Sequence, residues 1–74
     1  MRVVIQRPEE VKKAIIVNGH SLRTFAKTIG ISSGYLSQIL RGDRNPSGKV
    51  AKTISDELGF VFEDYFFVED ACKS

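Results

Sequence analysis

The sequence predicts an all-α fold, a compact bundle of four or five short helices with an optional small β-ribbon formed by its two ends. Three observations lead there. Apolar residues recur at spacings of three and four in four separate windows, the period of a helix with one buried stripe. Each window opens on a residue suited to a helix start (Pro8, Ser21, Ser32, Ser47) and closes near a glycine (Gly19, Gly30, Gly42, Gly59). The chain has 74 residues, which predicts one domain (1–74). A chain of that size buries only about 60 % of the surface its unfolded form exposes, so a partner subunit would add useful burial.

Residues 1–6 form a strand or arm, because Val3, Val4 and Ile5 are β-branched. A first helix follows Arg7. Pro8 suits its first turn, and Glu9 and Glu10 suit the positive end of its dipole. It should turn Val11, Ala14, Ile15 and one of Ile16 or Val17 inward, and end at Asn18-Gly19. His20 is a loop residue with no catalytic role, since no nucleophile or acid stands at a recognisable spacing from it.

The centre of the chain is residues 21–42. Ser21 caps a second helix with Leu22, Phe25, Ala26 and Ile29 on one stripe. Gly30 stands where that helix must stop and the chain must turn sharply, in a left-handed conformation that costs glycine little. Ile31 plugs the angle, and Ala26 is small where two helix axes approach. Ser32 caps a third helix that buries Leu36, Ile39 and Leu40 and ends near Leu40 or Arg41. Its outer face should show Ser33, Gly34, Ser37, Gln38 and Arg41. This is the pattern of a helix-turn-helix, whose second helix enters the DNA major groove.

Gly42 to Pro46 is a turn-rich loop. Ser47 caps a fourth helix with Val50, Ile54 and Leu58 inward, stopped by Gly59. The acidic, aromatic segment 60–74 packs five aromatics into residues 60–68, with a fifth helix expected at 62–66. Phe60, Phe62 and Phe66 are assigned to the core, and Tyr65 and Phe67 to a dimer contact. Val3–Ile5 has the option of pairing with 66–68 as the ribbon. Residues 71–74 should fray.

The net charge of +2 conceals a division. Residues 1–55 carry ten Lys and Arg against three acids, and residues 56–74 one Lys against six acids. A basic body suits a polyanion, and an acidic end repels it. One cysteine, Cys72, cannot staple the fold, which fits a reducing cytoplasm. No segment approaches a membrane span, and the start is too short for a signal peptide. One histidine and one cysteine make no metal cluster, and no phosphate loop or nucleophile–base set is visible, so neither a cofactor nor an enzyme is expected.

The run Leu22, Ala26, Gly30-Ile31-Ser32, Leu36-Ser37, Ile39, Arg41-Gly42, Pro46-Ser47, continuing into Leu58-Gly59 and Glu63-Asp64-Tyr65-Phe66, resembles the lambda-repressor-like family of bacterial and phage regulators, the Cro/cI or XRE type. The resemblance covers about residues 8–67. It implies a regulator that binds operator DNA, usually as a homodimer on a palindromic site, in the cytoplasm of a bacterium or phage-infected host and associated with its nucleoid. The small size points to a Cro-like or short repressor of phage or mobile-element type. The alternatives are an antitoxin-type regulator of a toxin pair, or a protein-interaction module that keeps the fold without binding DNA. The resemblance also implies that the first turn of the third helix reads bases, here Ser32, Ser33 and Gly34. Gly34 departs from the long polar residues common there and weakens the helix by up to about 1 kcal/mol relative to alanine.

Major-groove reading needs donors and acceptors on the outward face of the inserted helix. Gln38 is the leading base-contacting candidate, since its amide matches adenine N7 and N6, and Ser37 joins Ser32, Ser33 and Gly34 beside it. The phosphate-contacting candidates are Arg23 and Lys27 on the second helix and Arg41, Arg44 and Asn45 after the third.

Overall fold

A computed structural model describes residues 2–69 of the chain. The expected fraying of residues 71–74, and Cys72 with it, falls outside them. The elements run β1 (Arg2–Ile5), α1 (Pro8–Val17), α2 (Leu22–Ile29), α3 (Ser33–Leu40), α4 (Gly48–Leu58), α5 (Phe62–Tyr65) and β2 (Phe66–Glu69). This is the five-helix arrangement with its ribbon. β1 and β2 pair antiparallel, with Val3 opposite Val68 and Ile5 opposite Phe66. Those four side chains share one face of the ribbon, because paired residues in an antiparallel ladder point the same way; Val3 and Phe66 are buried there and Ile5 half-buried, while Val68 is 49 % exposed. The Gln6 amide donates to the Tyr65 carbonyl and continues the pairing by one step.

The core is built from one stripe of each main helix and one face of the ribbon. Val3, Val11, Ile15, Phe25, Ala26, Leu36, Ala51, Ile54 and Phe66 form one buried cluster. Ile5, Leu22, Ile29, Ile31, Leu40, Val50, Leu58, Phe60, Phe62 and Tyr65 pack around it, half-buried. α2 packs on α3 and α4, α1 lies against both α2 and α3, and α4 carries α5 and β1. Ser55 is the buried polar side chain of α4, and its hydroxyl donates to the Ala51 carbonyl at 3.0 Å.

Two expectations about helix faces need correction. Neither Ile16 nor Val17 turns inward; they are 59 % and 75 % exposed. α1 touches its neighbours along Val11, Ala14 and Ile15, and a peripheral helix with one such stripe has nothing to cover residues 100° and 200° further round. On α4 the fully buried residues are Ala51, Ile54 and Ser55, while Val50 and Leu58 lie at the margins. Ala51 is small but fully buried, a position that a stripe of large apolar residues does not mark.

Candidate nucleic-acid interface

The turn between α2 and α3 is fixed by short-range bonding. Ser21 and Thr24 cap each other reciprocally at the start of α2: the Thr24 amide donates to Ser21 Oγ, and the Ser21 amide donates to Thr24 Oγ1. At its other end Gly30 takes φ 85°, in the left-handed region. The Gly30 amide then reaches the Lys27 carbonyl and the Ile31 amide the Ala26 carbonyl, a Schellman closure. Ile31 is thereby set against the core. Ser32 starts α3 by accepting from the Tyr35 amide at 3.1 Å. α2, a tight turn and α3 are thus locked in sequence, with α3 held from beneath by fully buried Leu36 and Ile39.

The opposite side of α3 is open. Ser32, Ser33, Gly34 and Arg41 are exposed. Ser37 and Gln38 are half-buried, on the flank rather than the crest. A methyl group added at Gly34 would meet nothing within 4 Å, so its lack of a side chain is not a packing requirement of the chain itself. Arg23 and Lys27 are exposed one turn apart on α2, and Arg41, Arg44 and Asn45 are exposed after α3. Arg41 Nε lies 3.3 Å from Asp43 Oδ2. An exposed pair of that kind is weak and can be exchanged for a phosphate.

Arg44 behaves differently. Gly42, at φ 80°, reverses the chain, and the Asp43 amide donates to the Gln38 carbonyl at 2.9 Å. That reversal brings the following residue back over α3. The Arg44 guanidinium carbon lies 5.2 Å from the centre of the Tyr35 ring, and Nη1 donates to Gln38 Oε1 at 3.4 Å. Sequence reasoning had no place for Tyr35. Its one signal was an aromatic residue three positions before Gln38 on a helix otherwise short of large outward residues. Beyond this cluster, Tyr35, Arg44, Asn45, Pro46 and Ser47 line a cleft of about 520 Å³ together with Phe62 and with Arg2, Val3 and Val68 of the ribbon. The ribbon therefore borders the α3 flank.

The remaining aromatics are divided. Phe66 is fully buried, and Phe60 and Phe62 are half-buried against the core. The Tyr65 ring packs against Phe60 with ring centres 4.2 Å apart and planes inclined at 50°, while Phe67 is 42 % exposed on the ribbon. His20 lies half-buried with its ring edge-on to Phe25. Among the described residues, no group of His, Cys, Asp and Glu is placed to hold a metal, and no helix is long and apolar enough to cross a membrane.

The sequence model for the family described as helix-turn-helix matches residues 11–66, which run from α1 through the α2–turn–α3 unit to the first residue of β2. The chain belongs to the XRE-type helix-turn-helix family. Among curated proteins it is similar to two from Bacillus subtilis (strain 168). It is 32 % identical to the uncharacterized HTH-type transcriptional regulator YvzC over 68 residues, 92 % of this chain and 88 % of that protein. It is 35 % identical to the uncharacterized HTH-type transcriptional regulator YqaF over 63 residues, 85 % of this chain and 80 % of that protein. No solved structure gives a significant match.

Proposed function

We propose that this helix-turn-helix chain is a sequence-specific, double-stranded-DNA-binding transcriptional regulator that reads the major groove with α3. A DNA-binding transcriptional regulator is the function that the family and both relatives support. The observation that carries the finer reading is the two-sidedness of α3. One face is fully buried through Leu36 and Ile39, and the other opens its first turn and a polar flank to solvent. An inserted helix needs that division. Ser32, Ser33, Gly34, Ser37 and Gln38 then face base edges. Arg23 and Lys27 on one side, and Arg41 and Asn45 on the other, meet the two phosphate ridges.

Assembly follows from the same surfaces. Exposed Phe67 supports a homodimer through the C-terminal segment, in which Tyr65, half-buried against the core, would have the smaller part. A pair of α3 helices one DNA turn apart, about 34 Å, then matches a palindromic operator. The single core running from β1 to β2 supports treating residues 2–69 as one domain. Selection from random duplex DNA tests the proposal. A palindromic consensus supports it, and a pool with no enrichment removes it. Outward Ile16 and Val17 favour a second reading, a protein-interaction module on the same fold, which that empty pool would support.

A further inference from the structure

We propose that Arg44 is a specificity-determining residue that reads DNA jointly with Gln38, and that the pair selects guanine. The inference rests on α3 entering the major groove, and it gives Arg44 a different duty from the phosphate contact its charge alone suggests. A guanidinium has five N–H donors and no acceptor, so the amide atom facing Arg44 must be Gln38 Oε1. Gln38 Nε2 therefore faces away from Arg44. The adenine pairing expected of an unencumbered glutamine needs Oε1 turned to the N6 amino group. Here Arg44 takes one of the two lone pairs of Oε1, and the N–H groups of the two side chains together offer an edge of donors. Guanine presents two acceptors in the major groove, O6 and N7, whereas adenine presents one acceptor and one donor.

The placement of Arg44 is built by the fold. The turn at Gly42 folds the loop back, and the face of Tyr35 supports the guanidinium. Cation–π contact of this kind favours a planar guanidinium over a flexible ammonium. Among the described residues no carboxylate lies within ion-pair distance of Arg44, in contrast to Arg41, Lys52 and Arg2. Its charge is thus not neutralised by a neighbour, and its direction is set by Tyr35 and Gln38. Gln38 in turn loses less freedom on binding because its amide is already oriented.

A double-mutant cycle tests the pair. Binding of the selected site and of scrambled DNA is measured for the wild type, Gln38→Ala, Arg44→Ala, the double variant and Arg44→Lys. Each single alanine variant should cut the ratio of the two affinities roughly 5- to 150-fold. The double variant should lose little more than one single, and Arg44→Lys should not restore the ratio. A 7-deazaguanine at the position whose preference vanishes should weaken wild-type binding by removing N7. Additive losses, an adenine at that position, or an Arg44→Ala variant that weakens both DNAs equally would overturn the proposal while leaving groove reading by α3 intact. A wild type with no preferred site would overturn both. Nuclear magnetic resonance of the DNA-free protein separates these cases further. Arg44→Lys should shift the Gln38 side-chain amide signals while Arg23→Lys leaves them in place, and unshifted signals would sink the coupling whatever the DNA preference.

Discussion

Gly34 and Gln38 stand four residues apart on α3, so they share one side of the helix. Gly34 has open space around it and helical backbone angles, so Gly34→Ala should raise stability by up to about 1 kcal/mol through helix propensity. The midpoint of urea unfolding measures this, and a lowered midpoint would mean that the first turn of α3 is packed in a way the open space around Gly34 does not suggest. If the bare backbone approaches the groove there, the same variant should bind operator DNA more weakly despite its greater stability. Arg41→Ala should lower affinity for selected and scrambled DNA together, because a phosphate contact carries no sequence information. The caps at Ser21, Ser32 and Ser47 could be read directly from sequence, because a cap bonds three residues away along the chain. The cluster of Tyr35, Gln38 and Arg44 could not. It depends on a chain reversal at Gly42, whose effect on a side chain two residues later is not a matter of periodicity.

At the scale of elements, the α2–turn–α3 unit was legible because each part has a local cause: a stripe, a left-handed glycine, a plug and a cap. Gly30 tests that unit. At φ 85° an added Cβ meets no neighbour, so the cost of Gly30→Ala is backbone strain alone, about 1–2 kcal/mol. Thermal unfolding should show this loss, and a variant as stable as the wild type would mean that the turn relaxes to another conformation. Helix width was less legible than helix position. Period 3.6 identifies Val11 and Ile15 as inward but cannot say how far round α1 its neighbours reach, so the expectation that one of Ile16 or Val17 turns inward fails. The ribbon was legible as an option only, because pairing β1 with β2 joins the two ends of the domain and no local signal marks a contact of that sequence separation. On α4 the expected stripe of Val50, Ile54 and Leu58 does pack on the core, but its centre lies at Ala51, Ile54 and Ser55, with Val50 and Leu58 half-buried at the margins.

For the whole molecule, charge and assembly carry the predictions. Residues 1–55 are strongly basic and 56–74 acidic, and the basic part is the one that suits a polyanion. Affinity should fall steeply with salt, and Arg23→Ala should reduce the log–log slope by roughly 1 if it releases one counterion fewer. An unchanged slope would remove Arg23 from the contact set. Phe67→Ser should shift sedimentation at tens of micromolar (~10⁻⁵ M) toward monomer, with less effect on non-specific binding, which phosphates supply. The central claim is that α3 reads sequence through its polar flank, and it meets its most direct test in the affinities of wild type and Gln38→Ala for the selected operator and for scrambled DNA at one salt concentration. The wild type should prefer its site by about 10³-fold or more, and Gln38→Ala should lose part of that preference while binding scrambled DNA as before. A ratio that the substitution leaves unchanged would contradict the claim.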